Sequence, residues 1–168
     1  IIQARMGSTR LPGKVMKIID DIHPLLFYVI NQLKYSKLID KIIVATTNLP
    51  DDDVIEKFCK LHNVECFRGQ ENDVLDRHYH CAIEYSLSTI IRIPSDKPLI
   101  DPEIVDHGIK IFQENNFDYV SNFHPYSYPY GTEVEVFSFK TLLKIWREAK
   151  LPSEREHVIP YIFNNEKK

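Results

Sequence analysis

The 168-residue chain has no apolar run approaching the length of a transmembrane span, so no membrane-crossing helix is expected. It has no excess of positive charge: 21 Lys and Arg against 24 Asp and Glu leave a net charge of −3, which argues against a general nucleic-acid binder. Cysteine is scarce and odd in number, and Cys59, Cys66 and Cys81 show no C-x-x-C spacing. Reduced thiols in a cytoplasmic protein are expected, rather than a disulfide framework or a zinc site. Neither of the two common phosphate motifs, G-x-x-x-x-G-K-[ST] and G-x-G-x-x-G, occurs. There is no internal repeat, low-complexity tract or linker, so residues 1–168 read as one domain with enough length to bury a core. The chain does not begin with Met, opens inside a strand pattern and ends directly after a helical one. Further residues are expected at both ends.

What is present is concentrated at the start. After the apolar Ile1 and Ile2, the chain reads Gln3-Ala4-Arg5-Met6-Gly7-Ser8-Thr9-Arg10-Leu11-Pro12-Gly13-Lys14. Gly7 and Gly13 free the backbone to curl and to approach a ligand closely. Peptide N–H groups in such a loop converge on anionic oxygens, with Ser8 and Thr9 as further donors. Arg5 and Arg10 bring planar forks and Lys14 a mobile point charge. A basic surface turn has no need of this density of glycine, hydroxyl and cation, so the loop is read as a phosphate cradle.

Strand and helix patterns alternate along the chain. Residues 1–4 and 41–46 read as strands, the second buried on both faces, and 14–19 as a short extended piece. Pro24 opens a helix with Leu25, Leu26, Val29, Ile30 and Leu33 on one face. Asp51, Asp52 and Asp53 suit the N-terminus of the next helix, where carboxylates cap free N–H groups. Strands at 64–67, 89–93, 118–122 and 132–137 alternate with helices at 73–85 and 101–115, and helices near 139–149 and 154–163 follow. Strands separated by helices predict an α/β fold with a mostly parallel sheet covered on both faces, and ligands at the strands' carboxyl ends.

The first loop resembles the nucleotide loop of the sugar-activating cytidylyltransferases, the family of acylneuraminate and CMP-Kdo synthetases, which reads A-R-x-G-S-x-R-L-P-G-K. Every fixed position is matched from Ala4 to Lys14, and Gln-Ala-Arg-Met-Gly-Ser is typical of the spore-coat polysaccharide branch. The resemblance implies a Rossmann-like three-layer sandwich of the nucleotide-diphospho-sugar transferase type. It also implies nucleotide binding by Ala4, Arg5, Gly7, Ser8, Arg10 and Lys14, with Arg10, Lys14 and Asp96 serving catalysis.

Four further segments take part in the resemblance. Arg92-Ile93-Pro94-Ser95-Asp96-Lys97-Pro98-Leu99-Ile100-Asp101-Pro102 is similar to Arg-x-Thr-Gly-Asp-Cys-Pro-Leu-Ile-Asp-Pro, which implies that Asp96 is a Mg²⁺ ligand. Read alone, Asp96 suits a turn as well as a metal, Asp101 suits a helix cap, and Lys97 suits either a substrate phosphate or Asp96 itself. Glu133 and Glu135, two apart on an expected strand, share one face. By themselves they suit a solvated edge; the relatives' Gly-x-Asp-x-Glu-Val-Phe implies a place near the metal. Asp73-Val74-Leu75-Asp76-Arg77 matches a segment whose Arg lies close to the nucleotide, while Asp73 also reads as a helix cap. His78 and His80 do not share a helix face, so no metal site is read there. Ser153-Glu154-Arg155-Glu156-His157-Val158 resembles Ser-x-Arg-Glu-His-Val. Ser153 and Glu156 have capping-box spacing, and Arg155 and His157 could reach the sugar end. Relatives often carry Arg where Tyr130 stands, and Tyr cannot replace a guanidinium; the tyrosines around it could also pack a protein interface.

The expected function is transfer of CMP from CTP to a sugar acid with release of pyrophosphate, using Mg²⁺, in cell-surface or spore-coat polysaccharide biosynthesis. A homodimer is the partner state the family implies. The alternatives are another sugar nucleotidyltransferase or a glycosyltransferase of the same fold, and a non-catalytic nucleotide-binding module.

Overall fold

In the computed structural model, which describes residues 1–8, 10–158 and 160–165, six strands form one sheet. They are β1 (Ile2–Gln3), β2 (Ile43–Thr47), β3 (Glu65–Gly69), β4 (Thr89–Pro94), β5 (Tyr119–Ser121) and β6 (Glu135–Ser138). Their order is β3-β2-β1-β4-β6-β5, and β6 alone runs against its neighbours. β1 pairs in parallel on both sides, with Ile2 opposite Val44 of β2 and Ile93 of β4. All five residues of β2 are buried, as its continuous apolar run requires for a strand covered on both faces.

The helices are α1 (Leu25–Leu33), α2 (Asp53–Leu61), α3 (Val74–Glu84), α4 (Pro102–Glu114), α5 (Phe139–Glu148), α6 (Pro152–His157) and α7 (Pro160–Asn165). Alternation along β2 divides the core in two. Val44, with Ile2 and Ile93, packs on Leu26, Val29 and Ile30 of α1, Ile55 of α2, and Val105 and Ile109 of α4. Ile43 and Ala45 face the opposite way, against Leu75 and Cys81 of α3 and Leu142 and Ile145 of α5. This is the expected three-layer α/β sandwich.

Four local expectations are corrected. Residues 14–16 form a turn of 3₁₀ helix instead of an extended piece, because Gly13 bends the chain at φ +69° and the N–H of Lys17 returns to the carbonyl of Lys14. The strand expected from 132 begins only at Glu135, since the N–H of Val134 is taken by the Asn122 side chain and that of Gly131 by Glu133. The helix expected over 154–163 is two, α6 ending at Val158, whose φ is +66°. Ser153 lies inside α6 and caps nothing. Glu154 does that work, its carboxylate accepting from the N–H groups of Lys150 and Leu151 at 3.1 and 3.2 Å. Thr9, expected to add a hydroxyl to the first loop, lies outside the described residues, as does Ile159 of the expected final helix.

His78 on α3 makes a prediction about stability. It is fully buried, its Nδ1–H donates to the Val74 carbonyl at 2.8 Å, and its Nε2 has no partner among the described residues. Burial first, and then Arg92, hold its pKa well below the ordinary 6.5. The unfolded chain therefore takes up a proton that the folded chain refuses, so stability rises with pH through this range and falls on acidification below about 6.5. Urea unfolding should lose about 1.4 kcal/mol per pH unit below that point from this group. The difference in slope between the wild type and His78→Leu isolates it; parallel slopes would contradict the assignment.

Candidate active site

β1 is followed in sequence by β2 on one side of it, and the chain later returns as β4 on the other. The strand order thus reverses around β1 and β4, and a crevice opens outside their carboxyl ends. The first loop leaves β1 there, and Ser95 and Asp96 follow β4. A cavity of about 240 Å³ lies between them. Ala4, Arg5, Ser8, Arg10 and Lys14 line it from the loop, Ser95 and Asp96 from β4, Arg77 from α3, and Glu156 and His157 from α6.

The loop is curled around one residue. The Met6 carbonyl accepts from the N–H groups of Ser8 and Gly13, both at 2.8 Å. Gly13 is left-handed, which a side chain there would resist. The Met6 N–H donates 2.7 Å to Asp52, which is buried, lies at the start of α2 and also accepts from the N–H of Thr47 at 3.2 Å and from the Thr47 hydroxyl. The aspartate triplet was expected to cap a helix. Instead Asp52 fastens the loop to the end of β2, Asp53 pairs with Arg68 at 2.5 Å, and Asp51 is exposed.

Lys14 Nζ lies 2.6 Å from Asp96 Oδ2. Burial opposes ionisation of Asp96, but the Lys14 hydrogen bond and charge, helped by Lys97, outweigh it and hold the carboxyl below its usual range. Arg5 and Arg10 have no carboxylate partner among the described residues, so the cradle carries unspent positive charge. Arg77 is buried, with its guanidinium on the carbonyls of Gln70 and Glu71; burial, then Arg5, bring its pKa down to about 10, still cationic at neutral pH. Its stem packs so close to Gly69 that a Cβ there would meet Arg77 Cγ at 3.0 Å. Gly69 therefore leaves the room that Arg77 and the Phe67 ring occupy, a role with no motif to announce it.

The other expected residues lie outside the cavity wall. Glu133 Oε1 is 3.4 Å from Lys97 Nζ, while Oε2 accepts the Gly131 N–H at 3.0 Å. Glu135 is bound by Arg92, which also donates to Gln3 at 2.9 and 3.1 Å, and by the Tyr119 hydroxyl at 3.2 Å. The two glutamates are thus held by separate cations. Arg155 grips Asp73, the N-cap of α3, at 2.5 and 2.8 Å, and so joins α6 to the helix that carries Arg77. Asp101 caps α4 as expected, accepting from Glu103 N–H at 2.8 Å. Lys97 and Tyr130, two departures from the relatives' pattern, meet in space: Lys97 Nζ lies 3.5 Å from the Tyr130 ring centroid.

Comparison with known proteins places this arrangement. A family model described as Cytidylyltransferase matches residues 1–168. The uncharacterized protein MJ1063 of Methanocaldococcus jannaschii is 44% identical over 165 residues, covering 98% of this chain and 66% of the relative. The spore coat polysaccharide biosynthesis protein SpsF of Bacillus subtilis is 36% identical over 170 residues, covering 98% and 69%. The chain therefore spans about two thirds of the length of these relatives. The solved structure of a cytidylyltransferase from Leptospira borgpetersenii superposes with a TM-score of 0.94 at 36% identity, covering 99% of this chain and 70% of that one.

Proposed function

Because this chain belongs to the cytidylyltransferase family, we propose that it transfers CMP from CTP to a sugar acid with release of pyrophosphate, serving polysaccharide biosynthesis. The observation that carries the reading is the pairing of Lys14 with Asp96 at 2.6 Å in the lining of a cavity that Arg5 and Arg10 also line.

The triphosphate enters the first loop, where Ser8 and the backbone N–H groups meet its oxygens and Arg5, Arg10 and Lys14 offset its charge. Lys14 leaves Asp96 for a phosphate oxygen and follows the charge that develops on the departing pyrophosphate. Arg77, read as the nucleoside contact, and His157, read as a sugar contact, both line the cavity. Arg155, occupied with Asp73, acts by positioning α3 and with it Arg77. The reaction needs little covalent help from the protein, because holding the acceptor hydroxyl in line with the α-phosphorus supplies most of the acceleration.

The donor set also fits Mg²⁺. Among the described residues no three Asp, Glu, His or Cys side chains gather into a cage, and Mg²⁺ characteristically takes one or two carboxylates and completes its shell with phosphate oxygens and water. Asp96, released by Lys14, is a carboxylate of the cavity wall, as is Glu156 of α6; Glu133 and Glu135 would join only by exchanging Lys97 and Arg92 for the ion. Bound there, the ion would neutralise the triphosphate and orient its α-phosphorus.

The test is pyrophosphate release with CTP against a panel of sugar acids, together with thermal shifts in CTP, UTP, GTP and ATP. CTP at a hundred times its Kd should stabilise the fold by about 2.7 kcal/mol, with smaller shifts for the other nucleotides. Equal shifts for all four would favour a nucleotidyltransferase of different base preference. Binding of CTP without turnover of any sugar acid would favour a nucleotide-binding module.

A further inference from the structure

Asp96 divides two environments. On one side is the nucleotide cavity; on the other, one residue along the chain, Lys97 turns away toward the β6 side of the sheet. Its side chain is 11% exposed, and its one ion-pair partner among the described residues, Glu133, is 3.4 Å away. That is longer than the 2.7–2.9 Å typical of a charge-assisted N–H···O bond. Glu133 is itself held by the Gly131 N–H, which its other oxygen accepts at 3.0 Å. An ammonium has three donors. Here one points at Glu133 and the Tyr130 ring lies over the charge.

The ring is a weak cover. Tyr130 is 78% exposed, so it buries little of itself by staying and loses little by leaving.

We propose that Lys97 recognises the acceptor, lying under the Tyr130 ring until the carboxylate of an incoming sugar acid displaces the ring and takes its place. This rests on the sugar-acid reading of the function. A carboxylate is a far better partner for a desolvated ammonium than an aromatic face, and it restores the hydrogen bonds that the ring cannot supply. The incoming carboxylate shares Lys97 with Glu133, and Asp96, once Lys14 has moved to the triphosphate, would be offset by Mg²⁺. The position suits the reaction. Lys97 adjoins Asp96 along the chain, so an acceptor anchored by its carboxylate here lies next to a residue of the nucleotide cavity.

The test is calorimetric titration of the protein, saturated with Mg²⁺ and a non-hydrolysable CTP analogue, with N-acetylneuraminate and 3-deoxy-manno-octulosonate, each as free acid and as methyl ester. The wild type should bind at least one acid about tenfold or more tighter than its ester. Lys97→Met should erase that preference while binding the CTP analogue as the wild type does, which also shows that the variant is folded. Lys97→Arg should restore part of the preference. Tyr130→Ala should tighten acid binding severalfold, because no ring has to be displaced. The proposal is overturned if Lys97→Met keeps the acid preference, if acid and ester bind the wild type alike, or if neither binds. Acid-selective binding that depends on Lys97, without pyrophosphate release from CTP, would instead uphold the site and sink the transferase reading.

Discussion

Replacing Asp96 by alanine is expected to lower pyrophosphate release by about a hundred- to a thousandfold while leaving the protein folded. The size follows from the role: a charged group fixed beside the reacting phosphate in a sheltered site contributes on that scale. The intact fold follows from the location. The Asp96 side chain is 33% exposed and its partner Lys14 23%, so the ion pair adds no more than about 1 kcal/mol to stability. Asp96→Asn should be nearly as inactive, because the shape survives and the charge does not. A second consequence has the opposite sign. Lys14 must leave Asp96 to reach a phosphate, so without Mg²⁺ the Asp96→Ala protein should bind CTP at least as tightly as the wild type. Turnover within tenfold of wild type would sink the assignment; tighter metal-free CTP binding in the wild type than in the variant would remove Lys14 from the account.

Asp52→Ala should damage both stability and binding, although Asp52 lies outside the cavity wall. It leaves the N–H groups of Met6 and Thr47 and the Thr47 hydroxyl without their acceptor in a buried setting. Leaving such donors unpaired costs about 3 kcal/mol in urea unfolding. The loop, no longer tied to β2, would have to be ordered by the triphosphate, and CTP affinity should fall by roughly tenfold or more as that ordering is charged against binding. Asp51→Ala is the control: exposed and adjacent, it should change neither quantity by more than about 0.5 kcal/mol. A loss of stability with unchanged CTP affinity would show that the loop holds its shape without Asp52.

The three neighbouring aspartates also mark how far the sequence could be read. The helix cap at Asp101 and the alternation of strands and helices are local signals, and they predicted the cap and the sandwich. Asp52 bonds to a residue 46 positions away, and no spacing within the triplet distinguishes it from Asp51 or Asp53. Glu133 shows the same limit. Its alternation with Glu135 suggested a shared strand face, but side-chain bonds from Asn122 and Glu133 replaced the ladder before Glu135. Ser153 had the spacing of a capping box, and Glu154 took the role because the helix begins at Pro152. Where a residue's function is set by chain that returns from elsewhere, local pattern named the chemistry and missed the partner.

Both peptide groups of Met6 are held, the N–H by Asp52 and the carbonyl by Ser8 and Gly13, while its side chain packs against the core. The curl of the loop therefore depends on a carboxylate in another part of the chain as well as on its own residues. As a module the loop is not portable: residues 4–14 transplanted onto another strand would bring the cations but not the curl. The smallest transferable unit is β1 and its loop together with the Thr47–Asp52 corner of β2.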